Sequence, residues 1–497
     1  AEAEAEAKAK AEAEAEAEAK AKAEAEAEAE AMELHRREQQ LDEELADIQK
    51  QMDILQQRAN EIYAEKSDIE AARALAATQA QAEYARRDYS SRSAFPWSAE
   101  LTAMLRGIFG VAELRENQLE AMNAALDGRD AFVVMRTGGG KSLLYQAPAL
   151  LEGGITIVVT PLISLIEDQV ETLNARAPGA AAALTSATPR GEQAAVHRAI
   201  KAGGDGVALR LVYLTPERLD KSKLLMSALQ AASDCGGLKR FAIDEAHCCS
   251  EWGHDFREDY KKLDRLRRVF HATPIIAVTA TASPAVVIDV CKILGVAKPG
   301  KTLSDGRSTM FFRSSTNRPK ICYEVRPKPR GAKAAKEALG ELLRSPGLRG
   351  RCGIVYCHSQ NECEDVAQSL THEHNTPCYP YHAGMQPEAR AQVHSLWRSG
   401  HVRVVAATIA FGLGIDKADV RFVVHYVISK SLERYYQESG RAGRDGKPAR
   451  AICFFGPSDF VRVASLDWYK HMGLQNARSM AAYCLNTTEC RRSILAR

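Results

Sequence analysis

No cysteine precedes Cys235, and no two of the 12 that run from there to Cys490 are spaced as a CxxC pair. A disulfide framework is thereby excluded, and with no secretory signal in view the thiols are expected to stay reduced. Long apolar runs are missing as well. The most apolar stretch, Ile155 to Ile166, is too short to span a bilayer and is interrupted by Pro161, so no membrane partner is expected. The composition, 45% hydrophobic and 26% charged, leaves no room for wholesale disorder. An excess of one charge is also lacking: 66 Lys+Arg meet 64 Asp+Glu, a net of +2, which for the chain as a whole argues against a strongly basic nucleic-acid binder.

The charge balance is an average over two unlike parts. Residues 1–92 hold 13 Lys+Arg and 24 Asp+Glu, a net of −11, which leaves 53 against 40, a net of +13, for residues 93–497. An acidic arm is joined to a basic body suited to a phosphate-bearing partner. At ~100–200 residues per domain, 497 residues predict about three domains.

Residues 1–31 alternate Ala with Glu or Lys, strong helix formers and poor strand residues, which predicts a fluctuating helix or tail. Met32 opens ordinary sequence, and the tract before it is expected to be an upstream artefact. Across residues 32–89, Leu34, Leu41, Ile48, Leu55, Ile62 and Ile69 recur every seven positions, with Leu45, Met52 and Ala59 between them. That seam predicts a coiled coil, either pairing two copies or folding back on the body; Glu38, Lys66 and Arg73 interrupt it at its ends.

Beyond the polar stretch Ser90–Pro96, apolar runs alternate with helical patterns. The first series is Ala131–Met135, Ile155–Thr160, Leu209–Leu214, Phe241–Ile243 and Ile275–Val278. The second is Ile321–Val325, Gly353–Tyr356, Val402–Ala406, Phe422–Tyr426 and Ala451–Phe455. The fold class is therefore α/β, with two tandem parallel-sheet domains expected at 90–300 and 301–458 and a helical segment at 459–497.

The first run leads into Met135-Arg-Thr137-Gly138-Gly139-Gly140-Lys141-Ser142, a strand, a Gly-rich loop and then a helix. Glycines let backbone N–H groups converge on phosphates at a helix N-terminus; Lys141 is placed for the β- and γ-phosphates and Ser142 for Mg²⁺. Met135 stands where the usual phosphate-loop pattern has its first Gly. Phe241-Ala-Ile-Asp244-Glu245 ends a strand in two carboxylates, Asp244 suited to holding Mg²⁺ and Glu245 to polarising an attacking water. Gln437, Arg441 and Arg444 supply polar and positive groups from the second domain. Arginines three apart on a helix share one face, which predicts that both reach one phosphate tail across an interdomain cleft.

These motifs, in this order over residues 94–497, resemble a superfamily-two helicase of the RecQ family, most of all its short eukaryotic members with an N-terminal coiled coil. Phe109-Gly…Leu-Arg115-Glu-Asn-Gln118 resembles the adenine-reading motif, with Arg115 and Gln118 as implied contacts. Thr160-Pro-Leu-Ile-Ser-Leu and Thr215-Pro-Glu-Arg-Leu resemble strand-contacting motifs, and Thr279-Ala-Thr281 the motif joining the ATP site to DNA. Tyr356-Cys-His-Ser, Ala407-Thr-Ile-Ala-Phe-Gly-Leu-Gly-Ile-Asp416 and the segment Tyr435–Arg444 resemble the second-domain set, in which Asp416 is an implied nucleotide contact. His247-Cys-Cys-Ser-Glu-Trp252-Gly-His-Asp-Phe256-Arg257 resembles the aromatic-rich loop that senses single-stranded DNA. Aromatic faces beside a catalytic glutamate suit base stacking, although Trp252 and Phe256 also fit a core role on spacing alone.

The resemblance implies two RecA-like domains, ATP and Mg²⁺ as cofactors, and 3′ to 5′ movement on single-stranded or forked DNA in repair or recombination. It implies a nuclear location too, although no basic import tract is visible. Arg136 departs from the family's usual Pro. Cys490-Arg-Arg resembles the first ligand of the family's zinc module, which implies that 459–497 is the incomplete start of that module; the other three ligands are absent, so no zinc is expected in this chain, which reads as a fragment that hydrolyses ATP and unwinds duplex poorly. The rival readings are a superfamily-two RNA helicase and a coiled-coil assembly protein with a vestigial ATPase.

Overall fold

The structure is a computed structural model that describes residues 20, 22, 32–52, 54, 55, 57, 58, 61, 62, 65, 87–250, 256–303, 305–411, 417–468 and 473–496. Nearly all of the 1–31 tract and the later heptad positions Ala59, Lys66, Ile69 and Arg73 lie outside them, as do Trp252 and Asp416. The chain divides into two units, residues 1–79 and 80–497.

In the first unit residues 32–52 form a helix. Its heptad residues Leu34, Leu41, Leu45, Ile48 and Met52 are all exposed, as are Leu55 and Ile62. Among the described residues of the unit this apolar stripe is left uncovered.

The second unit holds two parallel sheets. Their strands in chain order are β1 (Asp130–Val134), β2 (Ile155–Val159), β3 (Ala181–Leu184), β4 (Leu211–Leu214), β5 (Leu238–Ile243), β6 (Ile275–Thr279), β7 (Thr309–Arg313), β8 (Ile321–Pro327), β9 (Gly353–Tyr356), β10 (Cys378–Tyr381), β11 (Val404–Ala407), β12 (Phe422–His425) and β13 (Ala449–Phe455). The first sheet runs β3-β4-β2-β5-β6-β1-β7 and the second β10-β11-β9-β12-β13-β8. Helices cover both faces, so the central strands are apolar on both sides rather than alternating with polar residues. The pleat still divides them: Phe132 and Val134 pack into one core, Ala131, Val133 and Met135 into the other.

The sheet of the first domain extends past the boundary expected at residue 300. β7 pairs in register with β1, Asp130 opposite Thr309 and Val134 opposite Arg313, so the connection to the second sheet is only residues 314–320. Three strands, β3, β7 and β10, were not expected from the sequence, and each is an edge strand. β3 is Ala-Ala-Ala-Leu, and β10 carries Pro380, which an edge tolerates because one row of N–H groups has no ladder partner.

The segment expected to begin a separate module, 459–497, instead joins the second domain. Its helices Pro457–Asp467 and Gly473–Leu485 contribute Val463, Ala477, Met480, Tyr483 and Cys484 to the core beneath β9 and β12. Tyr483 lies 5.2 Å from Tyr435, ring centre to ring centre.

Parallel sheets place their functional loops at the carboxyl ends of the strands. The phosphate loop follows β1, Thr160 follows β2, Thr215 follows β4 and Asp244 follows β5, while Thr279 ends β6. At the opposite end, Asp130 accepts hydrogen bonds from Arg267 (2.6 Å) and the Ile275 amide (2.8 Å), pinning β1 to β6.

In the second domain the fully buried Trp397 meets Phe411 edge-on at 5.0 Å. Trp397→Ala is expected to destabilise the protein by about 3–5 kcal/mol through the cavity it leaves. A urea unfolding transition attributable to the second domain, compared between parent and variant, checks this.

Candidate nucleotide-binding site

The loop between β1 and the helix Leu143–Glu152 wraps back on itself. Its first residue, Met135, donates its amide to the Thr279 carbonyl at 2.9 Å, so the loop starts from the end of β6. Gly140 has φ +85°, a backbone conformation that favours glycine, and a Cβ there would lie 2.6 Å from the Gln118 side-chain Nε2, which would have to shift. Gln118, buried at the start of its helix, donates to the Gly139 carbonyl at 3.1 Å. Arg115 donates to the Gly138 carbonyl. The two residues expected to read the base thus also hold the phosphate loop.

Arg115, Glu116, Met135, Arg136, Gly139, Ser314, Ser315, Asn317 and Pro319 line a cavity of about 290 Å³ beside the loop.

The carboxylate pair reaches the phosphate loop through Lys141. Lys141 Nζ lies 3.6 Å from Glu245 Oε1, with both side chains largely buried. Glu245 adopts φ +48°, the left-handed region, which a residue with a Cβ enters at a cost. Asp244 Oδ1 accepts from the Glu245 amide at 2.9 Å. Burial, with the Glu245 charge beside it, pushes the Asp244 carboxyl up to about 7, and Lys141 opposes the rise. Tyr145, in the helix after the loop, faces the same pair, and its hydroxyl is pushed well up by burial and by the charge of Asp244.

The pair connects to the expected coupling residues. His247 Nδ1 sits 2.8 Å from Thr279 Oγ1 and 3.4 Å from Glu245 Oε2. Thr279 Oγ1 donates in turn to the Thr281 carbonyl at 3.0 Å. Arg257 donates to the Pro161 carbonyl at 2.7 Å, joining the aromatic-rich segment to the loop after β2. Phe256 is half-buried, with Lys261 Nζ 5.0 Å from its ring centre.

The second-domain arginines do not sit as helix spacing predicts. The helix Leu432–Ser439 stops at Gly440, and Gly443 takes φ +60°, so Arg441 and Arg444 lie on a turn and not on one helix face. Arg444 packs against the phosphate loop, its Cγ 3.1 Å from where a Cβ on Gly138 would be. Arg441 is buried beside Tyr356, whose hydroxyl burial pushes up to about 12 while the guanidinium opposes the rise. Gln437 is buried on the same helix.

Arg318 passed unnoticed in the sequence. It is buried where phosphate loop and turn meet, and it donates to Thr137 and Gly440 carbonyls at 3.2 and 2.9 Å. A single Arg before Pro319, outside any periodic pattern, carries no signal of such a position.

The donor set suits Mg²⁺, a hard cation that takes oxygen ligands: the Ser142 hydroxyl and the Asp244 carboxyl are of that type. Among the described residues Glu245 Oε2 is buried with no hydrogen bond, His247 Nδ1 lying 3.4 Å away. Cys490 is exposed at the start of the helix Arg491–Ala496, where backbone amides hold its thiol below the usual range. Among the described residues, no group of three or more His, Cys, Asp and Glu side chains is placed to hold a metal.

Two family models match: the DEAD/DEAH box helicase model over residues 115–290 and the helicase conserved C-terminal domain over 334–446. The chain is 42% identical over 465 residues to ATP-dependent DNA helicase Q-like 2 of Arabidopsis thaliana, covering 92% of this chain and 64% of that protein. It is 44% identical over 406 residues to ATP-dependent DNA helicase Q1 of Rattus norvegicus, covering 82% and 63%. It thus spans just under two thirds of the length of these relatives. A crystal structure of the DUF1998 helicase MrfA with DNA superposes with a TM-score of 0.58 at 19% identity, over 80% of this chain and 56% of that one, a likeness of fold. With both helicase models matched in order and relatives named ATP-dependent DNA helicases 42% and 44% identical over most of this chain, the chain is similar to the RecQ helicases across both of its α/β domains.

Proposed function

We propose that this chain is an ATP-dependent DNA helicase or translocase, hydrolysing ATP between its two RecA-like domains and moving 3′ to 5′ on single-stranded or forked DNA. The observation that carries the reading is the meeting of Lys141, Glu245 and Arg444 around one loop, with Lys141 3.6 Å from Glu245 and Arg444 against Gly138. The relatives, by name ATP-dependent DNA helicases, supply the substrate class.

ATP places its base by Arg115 and Gln118 and its phosphates over residues 137–142. Asp416, outside the described residues, is proposed as a further nucleotide contact. Lys141 then leaves Glu245 for the β- and γ-phosphates. Glu245, freed of its cation, orients the attacking water and accepts its proton. Arg444 and Arg441, with Gln437, stabilise the charge that builds on the departing phosphoryl group. Ser142 and Asp244 would hold Mg²⁺, which when bound supplies further positive charge to the phosphate oxygens.

Coupling runs through His247. A strand stacked on the aromatic-rich segment, Trp252 and Phe256 included, shifts Arg257 and His247, and through them Glu245 and Thr279–Thr281. Binding is phosphate-directed, in keeping with the basic body. The eukaryotic sources of the relatives support a nuclear location. The exposed heptad stripe supports self-association through the N-terminal helix.

ATPase activity with and without single-stranded DNA tests the reading. Strong stimulation is expected, and Lys141→Ala or Glu245→Gln is expected to lower turnover by about 100-fold or more. Absence of stimulation, or full turnover in Lys141→Ala, sinks the proposal; stronger stimulation by RNA moves it to an RNA substrate. In titrations with a fluorescent ATP analogue, Gly140→Ala should weaken binding by roughly tenfold, since the positive φ strains a residue with a Cβ by about 1–2 kcal/mol. For the helix, multi-angle light scattering should report an oligomer for the parent and a smaller species for the double variant Leu41→Asp, Ile48→Asp.

A further inference from the structure

Residues 314–320, the whole connection between β7 and β8, are fastened to both domains. The Ser314 hydroxyl donates to the Glu116 carbonyl and accepts from Asn117, both at 3.1 Å. The Ser315 amide donates to the Glu116 carboxylate at 3.1 Å. The Thr316 carbonyl accepts from Tyr436 of the second domain at 2.6 Å, and the Asn317 carbonyl from Arg136 of the phosphate loop at 3.0 Å.

Arg318 gathers these ties at one guanidinium. Its Nη1 donates to Thr137 O (3.2 Å) and Gly440 O (2.9 Å), and its Nη2 to Ala442 O (2.7 Å) and Gly443 O (3.2 Å). Thr137 belongs to the phosphate loop; the other three carbonyls flank Arg441 and precede Arg444. The side chain is buried, and every hydrogen bond just named ends on a neutral carbonyl. Only a planar, forked cation meets four carbonyls from two elements at once; an ammonium on a flexible stem has three donors at one point.

From this geometry we infer that Arg318 is a positioning residue of the nucleotide site. It sets the arginine turn of the second domain against the phosphate loop, so that turnover depends on it more than ATP binding does. The inference rests on the ATPase reading above and deepens it, assigning the alignment of Arg441 and Arg444 to a group whose four hydrogen bonds named here end on the protein's own carbonyls.

Arg318→Lys keeps the charge and removes the fork. In the full chain with saturating single-stranded DNA, kcat for ATP is expected to fall at least 10-fold. KM for ATP should change less than threefold, and affinity for the DNA should be unaltered. An unchanged kcat, or a loss confined to KM, overturns the inference. A second measurement stands apart from hydrolysis. Genetically encoded spin labels at the exposed residues Glu192 and Glu341, one in each domain, report the interdomain distance. The expected result is a narrow distribution in the parent and a broad one in Arg318→Lys; equal widths overturn the inference. If the parent itself does not hydrolyse ATP, the ATPase reading fails and the distance distribution alone decides the role of Arg318.

Discussion

The Glu245 carboxylate lies 3.6 Å from Lys141 and 3.4 Å from His247, on a backbone bent into the left-handed region. Two opposite charges in a largely dry cleft attract strongly, yet each has lost most of its water, so the contact is a poised arrangement rather than a source of stability. Everything around it follows from the need to hold that contact. Gln118 and Arg115 fix the glycine loop that presents Lys141, and the tie from Met135 to Thr279 fixes where the loop begins. Burial, and after it the Glu245 charge, raises Asp244 while Lys141 opposes the rise; a cation held beside the pair would relieve it.

Much of this was legible in the sequence, for identifiable reasons. Central parallel strands are buried on both faces and appear as unbroken apolar runs, so β1, β2, β5, β6, β9 and β12 stand out. The edge strands β3, β7 and β10 are covered less completely and pair on one side only. Ala181–Leu184 and a strand containing Pro380 therefore give no strand-like pattern. Missing β7 moved the expected domain boundary to residue 300, because Thr309–Arg313 enters the first sheet from the far side of a Gly- and Lys-rich stretch.

At the site, motif spacing identified the residue types, and local backbone decided where they point. Arg441 and Arg444 look helical from their separation, but Gly440 and Gly443 end the helix, leaving Arg441 beside Tyr356 and the stem of Arg444 against the loop. Arg318 has no motif of its own, since a residue whose partners are backbone carbonyls leaves no complementary side chains to notice. The helices after Gly456 were expected to start a new module, yet Tyr483 and Met480 complete the hydrophobic core under β9 and β12. Apolar periodicity does not distinguish a helix that caps an existing core from one that founds another.

The seven residues between β7 and β8 also act as a tether. At ~3.4 Å per residue they reach about 25 Å when fully stretched. Opening of the cleft is therefore a bounded excursion, with Arg444 never far from the glycine loop. A short tether keeps the second domain at an effective concentration of the order of millimolar. Each closure is then a local search, its reach limited by the hinge itself.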